Sequence, residues 1–174
     1  FGTGYKSGGT NTDRINAAFS PVFGAETSES IEIGMKADFE KARLNIALHD
    51  TQIDDLQANS FTGLGFNLQN AGKADTHGAE VELWWVPVDN VNLQLAYTWS
   101  VADFDQFANG TCWVATPFHT GRPDPGQTDP NLPVCDRSGD RVPSNPEHNV
   151  FLAANLFFPL SETMNLFVRP ELNS

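Results

Sequence analysis

Long apolar runs are missing from this 174-residue chain, and no stretch approaches the roughly 18 residues that a membrane-crossing helix needs. A helical membrane protein is thereby excluded. Strands that cross a bilayer are not, because alternation hides half of each strand's hydrophobicity. Positive charge is also scarce, with ten Lys and Arg against 22 Asp and Glu and a net charge of −12. Phosphate backbones need clustered cations, so this balance argues against nucleic acid as a partner. The acidic excess instead suits hydrated surface loops.

Catalytic signatures are absent too. There is no Gly-x-Ser-x-Gly elbow, phosphate loop, dinucleotide fingerprint or catalytic zinc motif, and Ser100, Ser138 and Ser144 have no evident His or Asp partner. His49, His77, His119 and His148 lack the close spacing of a metal site and read as ordinary polar histidines. Asp54 and Asp55 are adjacent, so on a strand they point to opposite faces and form no carboxylate dyad. The reading is of a protein that is not an enzyme, with no cofactor and no metal.

Cysteine is limited to Cys112 and Cys135, both inside one Pro- and Gly-rich segment. A disulfide between them would restrict the loop by ~3 kcal/mol and implies an oxidising compartment. A zinc site with His119 or His148 is the alternative, although the spacing matches no compact ligand pattern. The first residues, Phe1-Gly2-Thr3, show no Met and no export signal, and the last run along an incipient strand, so a cut piece of a longer protein is expected.

What the chain does have is alternation. From Asp75 to Asp103, around the turn Pro87-Val88-Asp89-Asn90, odd positions carry Val81, Leu83, Trp85, Val91, Leu93, Leu95, Tyr97, Trp99 and Val101. Even positions carry Glu80, Glu82, Trp84, Asn92, Gln94, Ala96, Thr98 and Ser100. A period of two means strands. The same pattern recurs at Ile31 to Phe39, at Leu44 to Leu48 with its parity moved to even positions, at Val150 to Phe158 and from Met164 on.

Connections alternate as well. Long ones follow Lys6, Leu56 and Phe104, whereas short turns lie near Glu40, Asp89 and Ser161. Ser7 to Thr27 and Phe61 to Asn70 read as loops, Asp50 to Asn59 as a polar strand extension, and Gln106 to Pro146 as the longest irregular segment, with most of the eleven prolines. Outer-membrane barrels place short turns at one rim and long loops at the other. Hence the expected fold is all-β: about seven antiparallel meander strands of a transmembrane β-barrel. Open edges cannot stand in lipid, so these strands would belong to a larger barrel.

On that reading Ile33, Val81, Leu83, Trp85, Leu93, Leu95 and Trp99 face outer-membrane lipid, and Trp84, Trp85, Trp99, Phe157 and Phe158 lie near the girdles. Glu32, Lys36, Glu80 and Glu82 face the lumen, together with Asp38. A porin-type diffusion barrel and a soluble antiparallel carbohydrate-binding β-module are the alternatives. The loop from Phe104 to Arg141 is the candidate ligand contact, through Phe107, Trp113, Phe118 and Arg122, because long loops on rigid scaffolds commonly bind.

Six segments resemble the C-terminal half of the barrel of TonB-dependent outer-membrane receptors. They are Gly4-Tyr5-Lys6-Ser7-Gly8-Gly9, the run Glu26 to Lys36, Asp54-Asp55-Leu56-Gln57, Asn70-Ala71-Gly72-Lys73-Ala74, the run Gly78 to Leu83, and the run Gly139 to Glu147. The resemblance implies a barrel of about 22 strands around an N-terminal plug, in the bacterial outer membrane. It also implies import of a scarce nutrient chelate such as a ferric siderophore, driven by the TonB complex acting through the plug. Residues 1–174 would be part of the barrel domain alone, with the plug outside them, and Glu32, Lys36, Glu80 and Glu82 would either contact that plug or line a solvated lumen.

Overall fold

The computed structural model describes residues 1–12, 17–61, 65–112, 127 and 134–174. Among them every regular element is a strand: β1 (Gly2–Lys6), β2 (Gly9–Thr10), β3 (Val22–Phe23), β4 (Glu26–Asp38), β5 (Ala42–Asp54), β6 (Gln57–Phe61) and β7 (Phe66–Asn70). The series continues with β8 (Lys73–Val88), β9 (Val91–Gln106), β10 (Gly110–Thr111), β11 (Val134–Cys135), β12 (His148–Ser161), β13 (Met164–Val168) and β14 (Glu171–Asn173). The main sheet runs β1-β4-β5-β8-β9-β12-β13, with β14 also on β12, and three two-stranded sheets, β2-β3, β6-β7 and β10-β11, stand beside it.

The seven successive ladder positions match the expected meander. β13 and β14 are one strand in a single register on β12, as Leu156↔Val168 and Leu152↔Leu172 show. The break between them falls at Arg169-Pro170, because proline has no N–H to give the ladder. Its carbonyl still accepts from the Ala154 N–H at 3.1 Å.

The chain divides into two compact units. The first holds Phe1–Ser30, Thr51–Thr76 and Ala102–Pro143, and the second Ile31–Asp50, His77–Val101 and Ser144–Ser174. All three long connections belong to the first unit and all three short turns to the second.

In the second unit the register sorts the side chains. Between β9 and β12, Val91, Leu93, Leu95 and Tyr97 stand opposite Leu156, Ala154, Leu152 and Val150, while Asn92, Gln94 and Thr98 stand opposite Asn155, Ala153 and Asn149. Opposed residues share a face, so apolar meets apolar and polar meets polar. The parity change between β4 and β5 has a simple cause. Phe39 and Ala42 exchange backbone bonds of 2.7 and 3.4 Å across the two-residue loop Glu40-Lys41, which pairs odd positions with even ones and keeps the apolar face continuous.

No second layer within this unit covers that apolar face. Its buried residues are Gly78, Val101, Ala153 and Asn155, whereas Ile33 is 70% exposed and Trp85 45%. Gly78 is required by close approach: a Cβ there would meet the carbonyl of Trp99 and the ring of His49.

The first unit is built differently. Ala71, Ala74, Phe104 and Phe107 form a small buried cluster flanked by Ile53, Leu56, Ala58 and Val142. Segments that read as irregular carry structure here. Ser7 to Thr27 contains the β2-β3 pair and the start of β4, and the segment 57–70 folds as the β6-β7 hairpin, with pairs from Gln57↔Asn70 to Phe61↔Phe66. The expected strand extension from Asp50 to Asn59 is broken at Asp55, whose φ is +55°. Leu56 and Ala71 then close the base of the hairpin, through Leu56 N–H to Gly72 O and Ala71 N–H to Leu56 O. Polar strands in a loop have no apolar alternation to betray them.

Gly72 (φ +111°) has the Gln106 carbonyl where a Cβ would project, whereas Gly139 (φ +82°) faces open space. Gly72→Ala should therefore destabilise by ~2 kcal/mol or more, and Gly139→Ala by only ~1 kcal/mol, the backbone share. Denaturant midpoints of the two variants measure the difference; equal midpoints would contradict the steric assignment.

Candidate functional site

Two surfaces gather the residues that chemistry would use, one in each unit. In the second unit Glu32, Lys36, Asn45, Glu80 and Glu82 line one shallow depression on the polar face. Asn45 Nδ2–H donates to Glu82 Oε2 at 3.0 Å, which ties β5 to β8 on this side. Toward the short turns, Trp84 borders a second depression with Asp38, Lys41, Arg43 and Asn45. The Asp38–Arg43 ion pair there, at 2.5 Å, is well exposed and adds little stability. Phe157 and Phe167 stand opposite each other on the polar face with ring centroids 5.1 Å apart, so they pack on each other.

The reverse side of the same strands is apolar. Leu83, Trp85, Leu93, Leu95, Leu152, Ala154 and Leu172 border one open groove, which places both strands of the central hairpin on that face. Trp84 and Trp85 therefore look in opposite directions, as strand geometry demands.

Where this face ends, register builds a polar aromatic cluster. His148 stands opposite Trp99. The His148 Nδ1 and the Tyr97 hydroxyl are 2.8 Å apart, with the two rings stacked. Trp99 donates its indole N–H to Glu147 at 3.4 Å and takes the edge of His77 at 5.7 Å. An apolar body with a satisfied polar tip is the arrangement of side chains at a membrane–water boundary. Sequence reasoning missed this cluster, because His77 on β8, Tyr97 and Trp99 on β9 and His148 on β12 come together only through the order β8-β9-β12 in the sheet.

In the first unit Cys112 and Cys135 are joined, with Cα atoms 4.9 Å apart and a sequence separation of 23. The bond sits beside the β10-β11 pair, where Gly110 opposes Cys135 and Thr111 opposes Val134. Of the candidate contact residues, Phe107 is 6% exposed and meets Phe104 edge-on at 4.8 Å. Phe107 thus packs in the small core of this unit, and with Phe104, Thr111 and Arg137 it also lines a cavity there. Trp113, Phe118 and Arg122 lie outside the described residues.

Arg137, which sequence reasoning did not single out, is the buried cation among the described residues of this unit. Its Nε–H donates to Thr111 O at 3.1 Å, its Nη1 lies 3.3 Å from Asp140 Oδ2, and its backbone N–H donates to Phe107 O at 2.8 Å. Just before it, the hydroxyl and backbone N–H of Ser138 hold the Asp136 carboxyl below the usual carboxylate range. The run Asp136-Arg137-Ser138-Gly139-Asp140 has the polar composition of a turn, which conceals the burial of its arginine.

Comparison with known proteins bears on both surfaces. A search of curated protein sequences finds no match. Among solved structures, the ferric yersiniabactin uptake receptor FyuA from Yersinia pestis matches with a TM-score of 0.65 at 22% identity, over 98% of this chain and 22% of that one. The chain therefore spans about 22% of that receptor's length, and at this identity the likeness concerns the fold. The model of the family "TonB dependent receptor-like, beta-barrel" matches residues 1–167. With its antiparallel meander of two-faced strands, the chain belongs to the TonB-dependent receptor β-barrel family.

Proposed function

We propose that these residues form part of the barrel wall of a bacterial outer-membrane receptor that imports a scarce nutrient chelate such as a ferric siderophore, energised by the TonB complex through a plug domain. The observation that carries this reading is the uncovered apolar face of the second unit, register-matched from strand to strand and backed by a polar face, in a chain of this family. An exposed belt of Leu, Ile and Trp on one side of a sheet is unfavourable in water and suits hydrocarbon. The likeness to a ferric siderophore uptake receptor supports the nutrient class.

In this reading Ile33, Val81, Leu83, Trp85, Leu93, Leu95 and Trp99 meet lipid, and the wall is a conduit that performs no chemistry. Glu32, Lys36, Glu80 and Glu82 face the lumen and meet the plug through hydrogen bonds and ion pairs that break during transport. The disulfide-stapled loop carries the ligand contacts, with Trp113, Phe118 and Arg122 as its contact residues.

Uptake of a radiolabelled ferric chelate by cells carrying the complete receptor is the test. Deleting Thr111 to Asp136 should weaken ligand binding at least about tenfold, equivalent to ~1.4 kcal/mol, and lower TonB-dependent uptake with it. Undiminished uptake would remove this loop from the ligand site, and uptake that persists without the TonB complex would contradict active transport. Glu80→Lys with Glu82→Lys should reduce uptake roughly two- to tenfold, since each partly exposed ion pair contributes ~1 kcal/mol or less. Unchanged uptake with unchanged plug retention would assign both carboxylates to a solvated lining.

A further inference from the structure

Side-chain amides join the three long connections of the first unit to one another, and the β6-β7 hairpin takes part in every junction. Asn11, in the first connection, makes a two-way bond with the backbone of Leu68: its Nδ2–H donates to Leu68 O at 2.7 Å, and the Leu68 N–H donates to its Oδ1 at 2.9 Å. Asn70 does the same for Gly24, accepting from the Gly24 N–H at 2.6 Å and donating to Gly24 O at 3.3 Å and Asp55 O at 2.7 Å. Gln57 directs its Nε2 to the carbonyls of Ser7 and Gly24 at 3.0 and 2.9 Å, while its backbone N–H donates to the Glu26 carboxylate at 2.6 Å. An amide side chain presents one N–H and one C=O much as a peptide does, so each of these acts as an extra rung where no strand pairs.

The same hairpin reaches the third connection through one carbonyl. Asn109 O accepts from the Ser60 hydroxyl at 2.8 Å and from Gln69 Nε2 at 2.7 Å, and Gln69 also donates to Ser60 Oγ at 2.9 Å. Ser60 is fully buried there.

An isolated two-stranded hairpin is marginal in water. One face of this one carries only Ala58, Ser60, Asn67 and Gln69, and the buried Asn67 leaves both its amide atoms without a partner, which costs stability. Its order therefore depends on the junctions on either hand. We infer that β6-β7 is a coupling hub: the first and third long connections order and loosen together through it, although the bonds that tie each to the hairpin involve different residues. Whatever ligand orders the third connection would then order the first without touching it, and by thermodynamic linkage the reverse holds.

Hydrogen–deuterium exchange on the complete barrel in detergent micelles tests this. Gln69→Ala removes one bond to the third connection, at Asn109 O, and one to Ser60 within the hairpin. It should speed exchange at Gly24 and Asn11 in the first about five- to tenfold, the equivalent of losing roughly one net hydrogen bond. Asn11 N–H normally donates to Pro21 O at 2.7 Å, so its exchange reports the first connection directly. Wild-type exchange at Gly24 and Asn11, with loosening confined to residues 57–70 and 107–111, would overturn the inference. Amides of Leu93 and Leu95 serve as the folding control. Should Gln69→Ala disturb them, Asn70→Asp decides: it keeps the acceptor for Gly24, removes only the donor, and should speed exchange at Phe107 and Arg137 by a similar factor. Unchanged rates there would equally overturn the coupling.

Discussion

A sheet one strand thick has two faces and no interior of its own, and in the second unit everything else follows from that. Backbone groups satisfy one another along the ladder, so side chains alone decide what each face can touch. With Leu95 opposite Leu152 and Leu152 opposite Leu172, the aliphatic rows continue from strand to strand without a polar interruption. A single slip of one residue would turn every one of them to the other face. Register is thus specified by the demand that the aliphatic rows stay whole, and the short turns serve that demand, as the two-residue Glu40-Lys41 loop does when it swaps odd for even.

The first unit meets the opposite condition. Among the described residues its core is small, Phe104, Phe107 and two alanines, and one disulfide and a series of amide bonds to backbone accompany it. Buried polar side chains such as Ser60 are stable because partners meet them, and Gln57 is met at its Nε2 but not at its Oε1. Where one has none, as at Asn67, the local structure is correspondingly easier to open.

The belt strands were legible in the sequence because alternation has one physical cause and leaves one mark: Val91 to Val101 can be read residue by residue and lands on the observed faces. Parity across Phe39 to Ala42 was legible as a change but not as a mechanism, since the turn bonds that explain it involve backbone alone. The β6-β7 hairpin was not legible, because residues such as Gln57, Asn59, Asn67 and Gln69 are polar whether buried or not and leave no apolar alternation along their strands. The packing of Phe107 was not legible for a related reason: an aromatic in a loop can serve a ligand, a core or both, and only the approach of Phe104 and Ala71 shows that it packs. The pairing of Cys112 with Cys135 followed from their being the only two cysteines in one loop, whereas the burial of Arg137 depended on contacts no spacing reveals.

Neighbouring tryptophans offer the most direct measurement of the central claim, that hydrocarbon touches one face of this wall and an aqueous interior the other. Single-tryptophan forms of the complete receptor, retaining either Trp84 or Trp85, would be reconstituted in vesicles and exposed to brominated acyl chains and to a water-soluble quencher. Trp85 fluorescence should be quenched by the brominated lipid and spared by the aqueous quencher, and Trp84 should be spared by the lipid. Equal lipid quenching of both residues, or a Trp85 shielded from lipid, would contradict the two-faced wall.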